Sequence, residues 1–196
     1  VLIIGISKST VTIDSGQAGV LYKTFGGGVV TDEPPMGEGF HMVAPWNRVT
    51  VYEVRQQEVL ESMNVLSSNG LDIKLEASAW FEPIRSDLGK LHQEKGTEYI
   101  QRVLLPTIRS AARSVVGRYT PEQLYSSKRD AIQQEIFDET QKIVSGQYIQ
   151  LNEILVRDVT LPPTIKDAIE RKLKQEQESL EYEFRLVTAK QMPTVF

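Results

Sequence analysis

The chain has 196 residues, 40% of them hydrophobic and 24% charged, which is ordinary for a globular protein and ample for a core. Its net charge of −4 argues against a general nucleic-acid binder, which needs a basic footprint, and no nucleic-acid partner is expected. Without a single cysteine there can be no disulfide, no thiolate metal site and no cysteine nucleophile.

Val1-Leu2-Ile3-Ile4-Gly5-Ile6 is a short apolar run, well under the roughly 20 residues that span a bilayer. By composition it reads as a strand; the other reading is the tail of an anchoring helix. From Thr10 to about Ile84 the pattern is β. Val11 and Ile13 alternate with polar neighbours, Asp14-Ser15-Gly16 makes a turn, and Val20 and Tyr22 alternate again. Val49, Val51 and Tyr52 lead another strand through Val54. Asn69-Gly70 predicts a hairpin with a type I′ turn, in which both residues take positive φ, and its second strand carries Leu71, Ile73 and Leu75 and runs to Phe81. Within the β half, Phe40, Met42 and Trp46 are read either as core or as aromatics of a membrane interface, where one end of the ring meets apolar surroundings and the other hydrogen-bonds.

Helical spacing begins near Ser86. Thr97 to Val116 has an apolar face through Ile100, Val103, Leu104 and Ile108, and Pro106 inside it predicts a kink or break. Thr120-Pro121-Glu122-Gln123 is a helix start with Thr as N-cap and Gln completing a capping box. Leu124, Ile132, Ile136, Phe137, Ile143 and Val144 continue one helix to a stop at Gly146, and this helix is expected on the sheet that the final strand joins. That strand alternates through Ile149, Leu151, Leu155, Arg157, Val159 and Leu161, with slippage near Ile154. Pro162-Pro163 end it, since proline has no N–H to give.

A long charged helix follows. Its stripe is Ile165, Ile169, Leu173, Glu176, Leu180, Phe184, Val187 and Gln191, spaced 4, 4, 3, 4, 4, 3 and 4 residues apart. An eleven-residue repeat averages about 3.67 residues per turn, so the stripe stays nearly straight or winds slightly right-handed. Asp167 with Arg171, and Glu170 with Lys174, are acid-before-base pairs at i,i+4. The narrow stripe between dense charges predicts side-by-side packing with other copies.

No catalytic constellation emerges. His41 and His92 lie far apart in no metal-ligand spacing and read as a sheet and a helix-surface histidine. Gly26-Gly27-Gly28 lacks the Gly-Lys-Ser/Thr of a phosphate loop and reads as a turn. Asp32-Glu33 reads as a solvated loop, and no G-x-S-x-G elbow is present. No catalytic residue, cofactor or metal is expected, and no enzyme.

Three groups of residues resemble one family in chain order. They are Gly16-Gln17-Ala18-Gly19-Val20 with Gly39-Phe40-His41 and Pro45-Trp46; Arg102-Val103-Leu104-Leu105-Pro106 with Ser114-Val115-Val116-Gly117-Arg118-Tyr119-Thr120; and Asp158-Val159-Thr160-Leu161-Pro162-Pro163 with Ala168-Ile169-Glu170-Arg171-Lys172. The chain resembles the SPFH (band-7) domain of prohibitin-like proteins. The resemblance implies an α+β SPFH domain with a β-rich first half and a helix-rich second half, leading into a long C-terminal coiled-coil helix. It divides the chain into the end of a membrane anchor (1–8), a β-rich subdomain (9–84), an α/β subdomain (85–161), and the start of the coiled coil with an apolar tail (162–196). Met192-Pro193-Thr194-Val195-Phe196 resembles the tail that follows the coiled coil in some prohibitins.

The function implied is a membrane-anchored scaffold assembling into a large ring or cage, which organises a membrane patch and associates with membrane AAA proteases; the alternative is a low-stoichiometry chaperone or regulatory adaptor of a membrane enzyme. Expected partners are further copies or a close paralogue, membrane lipids and a membrane AAA protease, at a bacterial or mitochondrial inner membrane. Oligomerisation is assigned to Ile165, Ile169, Leu173, Leu180, Phe184 and Val187, and membrane contact to Val1, Leu2, Ile3, Ile4, Phe40 and Trp46.

Overall fold

Alternating side chains and turn residues divide the first half into seven short strands in the computed structural model, which describes residues 9–126 and 128–191. They are β1 (Thr10–Ile13), β2 (Gln17–Lys23), β3 (Gly28–Val29), β4 (Gly39–Met42), β5 (Arg48–Glu53), β6 (Gln57–Leu66) and β7 (Asp72–Pro83). The second half holds α1 (Leu88–Glu94), α2 (Leu105–Val116), α3 (Pro121–Tyr125), α4 (Arg129–Val144), β8 (Ile149–Thr160) and α5 (Pro163–Gln191). Val1–Ile6 and Met192–Phe196 lie outside the described residues.

The strands form three antiparallel sheets: β1-β4, β3-β2-β5 and β6-β7-β8. The last is the platform of the domain. Ile73, Leu75, Ala77, Ala79 and Phe81 of β7 are buried and share one core with Leu104, Ile108, Ala112 and Val115 of the α2 region and with Ile132 and Ile136 of α4. Because β8 pairs with β7, this sheet joins the two halves of the chain.

The β6–β7 hairpin forms, with a different turn from the one Asn69-Gly70 predicts. Only Gly70 has positive φ (+75°), while Ser67 N–H donates to the Leu71 carbonyl at 2.9 Å, and Gly70 N–H to the Ser67 carbonyl at 2.9 Å. The loop therefore holds Ser68, Asn69 and Gly70, and only its last residue needs the left-handed conformation. The Ser67 hydroxyl, itself buried, also accepts from Leu71 N–H at 3.1 Å, which favours the longer loop.

Pro106 acts through its missing N–H. Residues Ile100–Leu104 form a π-helical turn, with Leu105 N–H reaching back to the Ile100 carbonyl, and Pro106 then sits in the first turn of α2. The capping box at Thr120 forms in full: Gln123 N–H donates to Thr120 Oγ1 at 3.3 Å, and Thr120 N–H to Gln123 Oε1 at 3.0 Å. The single helix expected after it is instead two, since α3 ends at Tyr125 and α4 starts at Arg129. The side chain of Ser126 explains part of the break, because its hydroxyl bonds back to the Glu122 carbonyl at 2.9 Å. Ile143 is exposed although its helical spacing reads as core.

The stop after α4 also differs. Tyr148, not Gly146, takes the left-handed conformation, with φ 66° and ψ 23°. Such a residue costs roughly 1–2 kcal/mol. Its hydroxyl donates to Glu94 at 2.8 Å and its carbonyl accepts from Ile84 N–H at 2.9 Å, contacts that offset the cost.

The alternation expected along β8 breaks twice. Phe81 faces Leu151 but Trp80 faces Glu153; Ala77 faces Val156 but Glu76 faces Asp158. Asn152 and Arg157 are the extra residues, and each bulge shifts the face by one. The buried set is thus Ile149, Leu151, Ile154, Val156 and Leu161, whereas Leu155, expected inward, is exposed.

Residue 89 is glycine because α1 lies against the first-half strands. A Cβ there would come 2.4 Å from the Val30 carbonyl oxygen. This close approach locks α1 onto the β3 region.

Candidate functional site: an exposed aromatic edge and a helix stripe

Two sets of side chains stand out from the folded body. The first lies on the turns of the β half. The β2–β3 turn carries Phe25 beside Gly26 and Gly27, and the β4–β5 loop carries Trp46. Thr24 holds the two segments together: its N–H donates to Asn47 Oδ1 at 3.2 Å and its hydroxyl to the Trp46 carbonyl. The rings of Phe25 and Trp46 then meet edge to face, with centroids 6.2 Å apart, yet remain 75% and 55% exposed. On the β1-β4 ribbon, Phe40 and Met42 occupy alternate positions opposite Thr12 and Thr10, and both are exposed. The core reading of Phe40, Met42 and Trp46 is overturned, because the two-stranded ribbon and the loop present them outward.

Phe25 escaped the sequence reading. The signal available was an aromatic directly before three glycines, a turn that has no strand face to bury it. Val1, Leu2, Ile3 and Ile4 lie outside the described residues.

The second set is on α5. Pro162 contributes the first carbonyl of the helix, accepting from Ile165 and Lys166 N–H at 3.0 Å each, and Pro163 opens it. Its first turns are tied to the domain. Tyr125 donates to Glu170 at 2.7 Å, Lys172 lies 3.1 Å from Glu122, and Ile169 packs on the core. Neither predicted i,i+4 pair forms as expected: Glu170 is taken by Tyr125, Arg171 turns to the Asp167 carbonyl at 3.1 Å, and Lys174 lies 4.0 Å from Glu178.

The stripe therefore has two parts. Ile165, Ile169 and Leu173 are half-buried, whereas Leu180, Phe184 and Val187 are 65%, 72% and 54% exposed.

Elsewhere several polar residues have structural partners. His41 Nε2 contacts the Gly37 carbonyl at 2.7 Å. His92 Nδ1 contacts the Tyr52 hydroxyl at 2.6 Å. Asp32 and Glu33 are exposed, with Glu33 3.7 Å from Lys23. Arg55 holds Glu53 in a two-pronged pair and lowers that carboxyl to about 2. Among the described residues no group of three or more His, Asp or Glu side chains could hold a metal, and no helix is long and apolar enough to cross a membrane.

A family model described as SPFH domain / Band 7 family matches residues 11–192. Prohibitin-1 of Saccharomyces cerevisiae is 24% identical over 188 residues, which cover 95% of this chain and 64% of that protein. A protein of Arabidopsis thaliana described as Prohibitin-1, mitochondrial, is 23% identical with the same coverage. Prohibitin-2 of Xenopus tropicalis is 23% identical over 187 residues, covering 95% of this chain and 61% of the relative. The chain spans less than two thirds of the length of these relatives.

Proposed function

The chain belongs to the SPFH domain / Band 7 family, and from that premise we propose that it is a non-enzymatic membrane scaffold that assembles side by side through α5. In this reading residues 9–84 and 85–161 are two subdomains sharing one sheet, and 162–196 opens a coiled coil. The assembly is a ring or cage of this chain, alone or with a close paralogue, at a bacterial or mitochondrial inner membrane. It organises a membrane patch and associates with membrane AAA proteases. The observation that carries the proposal is the helix: α5 is 29 residues long, among the described residues only its first turns pack on the body, and Leu180, Phe184 and Val187 beyond them are exposed. Exposed apolar side chains at helical spacing are what a coiled coil buries.

The likeness to both Prohibitin-1 and Prohibitin-2 supports a paralogue as a second subunit type. Phe25, Phe40, Met42 and Trp46 supply the lipid contact, since Trp and its neighbours favour the boundary between apolar and hydrated layers.

Imaging the full-length protein in mild detergent, with its mass measured alongside, tests the reading. A closed assembly of many copies is expected. A small fixed mass in which one or two copies accompany a single membrane enzyme would overturn it in favour of an adaptor.

A further inference from the structure

A closed ring of identical contacts needs two different surfaces on every copy. The stripe through Leu180, Phe184 and Val187 is one surface. We propose that Tyr182, Leu186 and Ala189 form the other, so that each α5 seats its first face against the second face of the next copy. This inference rests on the assembly reading above and specifies its contact.

Tyr182 is 65% exposed and Leu186 45% exposed, and neither belongs to the eleven-residue stripe. At 100° per residue, Tyr182, Leu186 and Ala189 cluster on a side of the helix about 160° from Leu180, Phe184 and Val187. Both clusters occupy the same turns. A helix that pairs with one partner through one seam has no use for a second apolar face at the same height. Opposed faces fit a row of helices, each touched on both sides.

The charges divide in the same way. From Glu176 to Lys190, those nearest the first face are Glu176, Glu181 and Glu183. Those nearest the second are Arg185 and Lys190, with Glu178 the exception. When two parallel copies lie side by side, Glu183 of one shares a flank of the contact with Lys190 of the next, and on the other flank Glu181, which Arg185 of its own chain holds at 2.6 Å, also meets Arg185 of the next. Two first faces brought together would instead set acid against acid. The occupant of each face is therefore a second copy of this chain in parallel orientation.

The test uses full-length protein in mild detergent, with mass from light scattering and helicity from circular dichroism. One variant carries Leu180→Glu and Phe184→Glu, the other Tyr182→Glu and Leu186→Glu. Each variant alone is expected to be a folded monomer. Mixed in equal amounts they should double in mass and stop there, because one intact first face meets one intact second face and both outer faces are blocked. Because the chain lacks cysteine, a cross-link gives an independent reading. Val187→Cys with Leu186→Cys in one chain should oxidise to a ladder, while either alone gives no product. A Tyr182/Leu186 variant that keeps the wild-type mass, a mixture that stays monomeric, or a dimer from Val187→Cys alone would each overturn the two-face contact. A monomeric wild type would be a different result: it would overturn the assembly reading itself, and this contact with it.

Discussion

The Tyr52 hydroxyl lies 2.6 Å from His92 Nδ1, joining β5 to α1 across the two halves of the chain. Burial, reinforced by neighbouring Tyr99, pushes the Tyr52 phenol up to about 12, so it keeps its proton and can donate. With the phenol as donor, His92 accepts at Nδ1 as the neutral tautomer with its proton on Nε2. Burial also lowers the His92 pKa below its ordinary value of about 6.5. The two effects agree: protonating His92 replaces the acceptor with a second donor.

Stability should therefore fall in mild acid. With the folded pKa below the unfolded one, the contribution of His92 is complete above about pH 6.5 and is lost as the pH falls through the folded value. Thermal melts of wild type and His92→Gln between pH 7.5 and 5 check this. The wild type should lose more stability over the window, by the order of one hydrogen bond, about 0.5–1.5 kcal/mol. Parallel curves would show that His92 does not titrate against this contact.

The capping box at Thr120 predicts a local cost. Thr120→Ala removes the oxygen that accepts from Gln123 N–H and should destabilise the domain by about 1 kcal/mol, whereas Thr120→Ser should not. Urea unfolding of the two variants decides it. An unchanged midpoint for alanine would mean that solvent caps α3 equally well.

Arg129 covers the free edge of β8 beside its second bulge, donating to the Val156 carbonyl at 2.7 Å and the Arg157 carbonyl at 2.6 Å. Gln133 completes the cover by accepting from Val156 N–H at 3.0 Å. Arg129→Ala should cost about 1.5–3 kcal/mol, the range for hydrogen bonds to a charged group, and uncover an edge on which other strands can pair. Denaturation midpoints and scattering on heating report both effects. A variant as stable and as soluble as wild type would remove this role.

The two parts of the α5 stripe predict different phenotypes. Leu173 is half-buried one turn beyond Ile169, which packs on the core, so Leu173→Glu should lower the melting temperature as well as the assembled mass. Leu180→Glu should lower only the mass, by removing a burial of about 1.5–3 kcal/mol per contact. Lys174→Gln, between the two apolar faces, is the control. Lys172 is unsuitable for that purpose because it pairs with Glu122. Equal melting losses for Leu173→Glu and Leu180→Glu would contradict the division of the stripe.

The aromatic edge predicts a spectroscopic change. Trp80→Phe leaves Trp46 as the only tryptophan, and its emission should shift to the blue when vesicles of anionic phospholipid are added. Phe25→Ser, which removes the edge-to-face neighbour, should weaken the shift. An emission spectrum that ignores vesicles would assign these rings to a protein partner instead.

Features that depend on neighbours in the chain were legible in the sequence. The Thr120 capping box, the disruption before Pro106 and the change from strand to helix at Pro162-Pro163 each follow from one residue's hydrogen-bonding capacity or fixed φ, whatever packs around it. The family, too, could be read from short motifs in order. What could not be read depended on contacts between distant segments. The bulges at Asn152 and Arg157 exist because β8 follows the twist and pairing of β7, and they reverse which side chains face the core. Tyr148 holds a conformation suited to glycine because Glu94 and Ile84 grip it. The aromatics of the β half are exposed because a two-stranded ribbon and a loop carry them, a matter of pairing that periodicity does not reveal. On α5 the spacing determined which residues share a side. Only the tertiary structure decided that the first turns spend that side on their own domain, since Tyr125 and Glu122 reach them there, and that the turns beyond are left exposed with no neighbour among the described residues to cover them.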